Sequence, residues 1–244
     1  MNHVLEIKEL TKIYGNGKRA VDHLTFMVDA GDIYGFIGHN GAGKTTTMKA
    51  CSGILEYDEG EIWINGRLID KEPVECKREM AFVPDNPSLY EYLTGIQYLN
   101  FICDLYNVPA DERKQEIENL SERLEISRQL GDLISSYSHG MKQKLALVAA
   151  FSHKPKLLIL DEPFVGLDPM AFHTLKELMN ELCSAGSAIL FSSHVLDVVE
   201  KLCNKIAIIK NGVLISSGEL EQILGNESLE NVFLELKDKS HENN

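Results

Sequence analysis

An α/β fold with a mostly parallel sheet is what the sequence predicts, and three observations carry it. The apolar strand IYGFIG at 33–38 runs directly into a glycine-rich loop and then a helical stretch. Two more apolar runs, KLLILD at 156–161 and AILFSS at 188–193, alternate with helical segments at 170–183 and 195–203. Strands that read as continuous apolar runs between helices are covered on both faces, the setting of parallel sheets. The first third differs: residues 4–10 and 20–28 alternate apolar and polar, which predicts half-buried antiparallel strands, with Gly15, Asn16 and Gly17 supplying the turn.

The remaining elements follow in order. A helix is expected from about Lys44 to Leu55, and EIWING at 61–66 reads as an exposed strand ending in an Asn-Gly turn. From about Leu93 to Ile126 the pattern is helical, punctuated by Pro109, with Asp111 near the next helix start. This stretch is a candidate helical subdomain inserted into the core. KIAIIK and VLISSG read as a hairpin turning at Asn211-Gly212. In SLENVFLELK at 228–237, Leu229, Val232, Phe233 and Leu236 recur at helical spacing, a stripe expected to pack on its own domain, and residues after Lys237 are polar and expected to fray. The resulting division is about 1–86 and 155–225 for the α/β core with its antiparallel part, about 87–154 for the helical subdomain, and 226–244 for a C-terminal helix and tail.

Composition narrows the function classes. The chain has 244 residues and a formal net charge of −13, and no cluster of Lys and Arg long enough to track a phosphate backbone, so nucleic acid is not an expected partner. The five cysteines are scattered without a CxxC pair, as free thiols in a reducing compartment would be. MNHVLEIKEL lacks a basic stretch followed by an apolar one, so no signal peptide is expected there. The longest apolar runs, such as LALVAAF at 145–151, fall far short of the roughly 18 residues of a membrane span. If a membrane is involved, another chain spans it.

The chemistry begins at GHNGAGKT, 38–45, which fits G-x-x-x-x-G-K-[ST] at every fixed position and lies between a strand and a helix. Glycines there let successive backbone N–H groups face phosphate oxygens, backed by the helix N-terminus. The binding set is Gly38, Asn40, Gly41, Ala42, Gly43, Lys44, Thr45 and Thr46. Lys44 reaches the β- and γ-phosphates, and the Thr45 hydroxyl holds Mg²⁺. A P-loop NTPase core then needs an acid at a neighbouring strand end, and LLILDEP supplies Asp161 for the metal and Glu162 to polarise the attacking water. Alone, that segment reads better as a solvated strand-end turn; behind a phosphate loop it does not.

With these segments on the page, the chain resembles the nucleotide-binding subunit of ATP-binding-cassette transporters over nearly its whole length. YSHGMKQKL at 137–145 looks like a variant of the family signature LSGGQxQR: Ser138 and Gly140 match, while Tyr137, His139 and Met141 depart. Ser138 and Gly140 lie at a helix start, where hydroxyl and N–H groups can bind a γ-phosphate. The resemblance further implies that Tyr14 stacks on adenine, that the loop with Asp168 crosses between two copies, and that His194 touches the γ-phosphate. Asp85, in AFVPD, stands where the family usually has a Gln that ligates the metal; a shorter, charged ligand binds Mg²⁺ differently, through water. Asp85 together with SHGMKQ and NPSLYEYLTG resembles the drug- and peptide-exporter branch of ABC-2 type.

The resemblance implies an ATPase using ATP and Mg²⁺, with Glu162, His194 and Lys44 catalytic. It implies two copies facing head to tail, each ATP lying between one copy's Lys44 and the other's Ser138 and Gly140. It also implies a membrane-spanning permease partner, docked near Leu89, Tyr90 and Tyr92, which holds the chain peripherally on the cytoplasmic side of the cell membrane. Two alternatives stay open at this point: a non-transport ATPase of the same superfamily acting on nucleic acid or in translation, and a regulatory ATP-binding module with a dead site. A GTPase fits poorly, because residues 204–207 read NKIA rather than Asn-Lys-x-Asp.

Overall fold

In the computed structural model, the described residues are 3–15, 17–225 and 227–238. Asn16 of the first turn and the tail from residue 239 lie outside them. Strands β1 (His3–Ile13) and β2 (Arg19–Asp29) pair antiparallel, and β4 (Glu59–Ile64) and β5 (Arg67–Leu68) extend them into a four-stranded sheet ordered β2-β1-β4-β5. The strand at 61–66 is less exposed than its sequence suggests: Ile62 and Ile64 are fully buried. Asn65 and Gly66 both take positive φ, the two-residue turn expected of Asn-Gly.

A second sheet has six strands in the order β10-β9-β3-β8-β7-β6. These are β3 (Ile33–Ile37), β6 (Met80–Val83), β7 (Leu157–Asp161), β8 (Ala188–Ser193), β9 (Lys205–Lys210) and β10 (Val213–Glu219). All neighbours pair parallel except β9 and β10, which form the predicted hairpin with Asn211 and Gly212 at positive φ.

The apolar runs face two ways. Tyr34, Phe36, Leu157, Ile159, Ala188 and Leu190 pack toward the antiparallel sheet, where Phe26 lies 5.4 Å from both Tyr34 and Phe36. Their alternates Ile33, Ile37, Leu158, Leu160, Ile189 and Phe191 pack toward helices on the other face. Each fully buried side chain of this size contributes about 1.5–3 kcal/mol, which is why a run with no polar alternate is stable only at the centre of three layers.

The helix α1 (Lys44–Cys51) ends earlier than the expected Leu55. Gly53, at φ 64°, reverses the chain, and the N–H groups of Gly53 and Ile54 bond back to Ala50 and Lys49, a Schellman stop. The short α2 (Pro73–Arg78) is an element the periodicity did not reveal. Between β6 and β7 the regular elements are helical: α3 (Gly95–Leu105), started by a Thr94–Gln97 capping box, α4 (Ala110–Arg123) and α5 (His139–Ser152). Helices α6 (Pro169–Ser184) and α7 (Leu196–Leu202) follow β7 and β8. Helix α8 (Leu220–Leu224), also unforeseen, precedes α9 (Leu229–Asp238), whose Leu229, Val232 and Phe233 pack on the main core as expected. All five cysteines are buried, and burial pushes the Cys51 and Cys183 thiols up to about 12. No helix among the described residues is long and apolar enough to cross a membrane.

At the opposite end of the parallel sheet from the glycine loop, Lys205 donates to Asp29 at 2.8 Å and to the buried Asp32 at 2.9 Å, while Asn204 donates to Asp32 at 2.7 Å. Burial pulls the Lys205 ammonium down, but the Asp29 and Asp32 bonds outweigh it and hold it above the ordinary lysine range. The Lys205 bond, against burial and with help from His3, holds Asp29 below the usual carboxylate range. Replacing Lys205 with Met strands the buried Asp32 charge and is expected to cost about 3 kcal/mol, read as a lower denaturant midpoint at unchanged slope. A carboxylate depressed in the folded state contributes stability that is complete above its unfolded pKa and lost as pH falls through the folded one. Stability should therefore decline below about pH 4, and less steeply in Lys205→Met. An unchanged midpoint in the variant would show that the cluster contributes nothing net.

Candidate functional site

The glycine loop leaves β3 at the centre of the parallel sheet and enters α1. Gly43 is required there: it is the N-cap of α1 at φ 112°, and any side chain would run into the backbone carbonyl of Ala20. The loop is also braced from outside, since the Gly212 N–H donates to the Ala42 carbonyl at 2.8 Å and the Asp22 N–H to the Gly212 carbonyl at 2.9 Å. Asn40 and Gly41 are exposed, Gly38 and Ala42 buried. The Lys44 ammonium, in a side chain only 7% exposed, folds back to donate to the Gly38 carbonyl at 2.7 Å and the His39 carbonyl at 3.4 Å. Burial pulls its pKa below the ordinary lysine range, while the Glu162 and Asp161 carboxylates pull the other way.

Parallel pairing brings the acids to this loop. In the order β3-β8-β7, Asp161 ends β7, Ser192 lies in β8, and Thr45 stands in the first turn after β3. Thr45 Oγ1 donates to Asp161 Oδ2 at 2.7 Å, and Ser192 Oγ donates to Asp161 Oδ1 at 2.5 Å. Both carboxylate oxygens of a side chain 1% exposed are thus satisfied by hydroxyls. Ser192 was missed from sequence; its one signal is a serine pair closing an apolar strand just before His194.

Glu162 follows with a left-handed backbone, φ 48°, a conformation that costs a non-glycine residue about 1–3 kcal/mol and persists where surroundings enforce it. Its N–H donates to Ser192 Oγ at 2.9 Å. Its carboxylate Oε2 accepts from the His194 backbone N–H at 3.3 Å and meets His194 Nδ1 at 2.9 Å. The structure therefore gathers Lys44, Thr45, Asp161, Glu162 and His194. Tyr14, 41% exposed, joins the rim: its hydroxyl lies 3.4 Å from Thr46 Oγ1, and Lys12 Nζ lies 5.9 Å from its ring centroid.

Three expected groups stand apart from that cluster. Asp85 is exposed on the loop after β6 and, among the described residues, bonds to neither Thr45 nor Asp161. Ser138 caps α5, its Oγ accepting from the Met141 N–H at 3.3 Å, and Gly140 packs on the Gly166 carbonyl rather than on the glycine loop. Asp168 caps α6 through the Met170 and Ala171 N–H groups and pairs with Lys144 at 2.5 Å. The Lys144 bond foremost, then the Ala171 N–H, holds Asp168 below the usual carboxylate range. Among the described residues, no hydrogen bond or ion pair joins Ser138 or Gly140 to the glycine loop.

Comparison with known proteins identifies the family. The profile of the ABC transporter family matches residues 21–165. The ABC-type transporter ATP-binding protein EcsA of Bacillus subtilis is 32% identical over 246 residues, covering 98% of this chain and 99% of that protein. The linearmycin resistance ATP-binding protein LnrL of the same organism is 35% identical over 215 residues, covering 88% of this chain and 69% of that one. A solved structure of the ATP-binding subunit of an ABC transporter superposes with a TM-score of 0.92 at 37% identity, covering 96% of this chain and 99% of that one. A glycine loop joined to the Asp161–Glu162 strand end, a family profile spanning more than half of the chain, and relatives aligned over most of it lead to one statement: the chain belongs to the ATP-binding-cassette transporter family.

Proposed function

We propose that this ATPase powers a membrane permease of the exporter kind by closing on a second copy of itself around ATP. The observation that carries the reading is the Glu162 carboxylate, held by His194 one residue beyond the Asp161–Thr45 bond. An acid so placed beside a phosphate loop is positioned to polarise water against a γ-phosphate. Lys44 keeps its cation desolvated, and ATP phosphates replace the Gly38 and His39 carbonyls as its partners.

Thr45 and Asp161 are the residues that would hold Mg²⁺. The donor set fits: a hydroxyl and a carboxylate offer hard oxygens, and the described residues contain no cluster of three His, Cys, Asp or Glu side chains that would make a protein-only cage. Bound there, the ion supplies neutralisation of phosphate charge. Asp85, exposed on the loop after β6, would be a further carboxylate to hold the ion. Tyr14 takes the adenine ring, and Gly38, Asn40, Gly41, Ala42, Gly43 and Thr46 cradle the phosphates. Ser138 and Gly140 act on the ATP of the second copy, head to tail, and the loop at Asp168 crosses to that copy. Ser138 caps α5 and Gly140 lies against Gly166, while Lys44 bonds to Gly38 and His39, and this supports the composite arrangement.

The permease docks where aromatic surface is unspent. Tyr92 is 75% exposed and Tyr90 46%, and the Tyr90 ring sits 5.9 Å from Tyr92 and 5.6 Å from Phe101. Leu89, next to Tyr90 in sequence, is partly buried against the core. Docking holds the chain at the cytoplasmic face of the membrane. The relative named for linearmycin resistance favours export.

Two substitutions test the reading. Glu162→Gln should keep ATP binding, lower turnover about 100-fold or more, and trap an ATP-bound dimer on sedimentation; wild-type turnover would sink the assigned acid. Lys44→Ala removes a charged donor to phosphate and should weaken ATP binding about 10- to 100-fold in calorimetry. Equal affinity in that variant would place the nucleotide elsewhere.

A further inference from the structure

A cavity of about 350 Å³ opens beside Lys156 and Ser187, the residues that lead into β7 and β8. These are the ends of the two strands remote from Asp161 and Ser192. The walls come from α4, α6 and the end of α5. The size falls at the small end of the roughly 300–1,000 Å³ usual for ligand pockets. None of the residues assigned to ATP lines it.

Four apolar side chains line the cavity: Leu120 of α4, Phe151 of α5, and Leu178 and Leu182 of α6, each 8% exposed or less. An apolar body placed among them would release the water they now face. The charged residues of the lining are of two kinds. Arg123 is engaged, since Nη1 and Nη2 each donate to a Glu181 oxygen at 2.8 Å, and Nη2 also lies 3.6 Å from Glu177. Lys154 is engaged by Glu116. Lys156 differs: it pairs with no carboxylate among the described residues. Its backbone is nevertheless fixed on both sides, its N–H donating to the Glu79 carbonyl at 2.8 Å and its carbonyl accepting from the Ala188 N–H at 2.8 Å. An unengaged cation thus stands on an anchored root at the edge of an apolar cavity.

We propose that this cavity binds a small monocarboxylate with an apolar body, its carboxylate meeting Lys156 and its body lying against Leu120, Phe151, Leu178 and Leu182. The charges set the class. A neutral molecule would leave Lys156 without a partner. A second negative charge, as on a phosphate monoester, would find only cations already engaged by Glu116, Glu177 and Glu181. An apolar body of roughly eight carbons suits the volume. The ligand would touch α4 and α6 together, across the joint that the Arg123–Glu181 bonds tie, and its binding raises the thermal midpoint by mass action.

The test titrates octanoate, octanol and octyl phosphate into the purified full chain by calorimetry. Octanoate should saturate one site per chain and bind about 5-fold tighter than octanol, the scale of one solvent-exposed charge pair. Octyl phosphate should bind no tighter than octanoate. Lys156→Met should weaken octanoate about 5-fold and leave octanol unchanged, which erases the difference between them. Ala185→Phe, at an exposed position on the cavity wall, should abolish octanoate binding by filling the space. ATP affinity within about twofold of wild type checks that each variant is folded, with Lys156→Gln standing in should the Met variant not fold. Equal affinity for octanoate and octanol overturns the proposal in favour of a plain apolar cleft, and tighter binding of octyl phosphate overturns the ligand class. Undiminished octanoate binding in Lys156→Met or in Ala185→Phe overturns the site, and a wild-type chain that binds no octanoate overturns the proposal outright.

Discussion

Asp161 is a carboxylate shut away from solvent, and its two oxygens are spoken for by two hydroxyls from different parts of the chain. A buried carboxylate without such partners costs several kcal/mol, about the whole margin of a domain's stability. Thr45 and Ser192 therefore have little freedom to move, and with them the first turn of α1 and the end of β8 are fixed relative to β7. The phosphate loop precedes Thr45, Glu162 follows Asp161, and His194 stands two residues past Ser192. One carboxylate thus ties Lys44, Glu162 and His194, the groups proposed to face the phosphates, to a common frame.

The sheet makes that placement possible. Parallel strands end together at one edge, so side chains far apart in sequence converge there without a dedicated scaffold. The alternation of Tyr34 and Phe36 with Ile33 and Ile37 locks β3 between the antiparallel sheet and the helices. The Lys205 cluster ties the far end of the same strands, and the β9–β10 hairpin braces the loop through Gly212.

Much of this was legible in the sequence, for a physical reason. GHNGAGKT and LLILDEP state their chemistry locally, because a phosphate cradle needs its glycines contiguous and a strand-end acid needs apolar residues before it. Strands β3, β7, β8 and β9 were legible because burial on both faces excludes polar residues. What escaped depends on residues that meet only after folding. Ser192 is one serine among many until β8 sets it beside Asp161, and Lys144 is a surface-looking lysine until α5 lies along the 163–168 loop. Helices α2 and α8, of 6 and 5 residues, are too short to display a period. The end of α1 was misjudged because Gly53 stops the helix while the apolar residues Ile54 and Leu55 continue the pattern.

The burial of all five thiols gives the chain a chemically silent surface toward electrophiles. Thiolate, the reactive form, is scarce for groups such as Cys51 and Cys183 held near 12. A single cysteine placed on the exposed Val165 or Tyr92 would be the one handle that a maleimide dye or a bifunctional crosslinker finds. Distances between two copies, or between this chain and a membrane partner, could then be read spectroscopically without first stripping the native cysteines from the core.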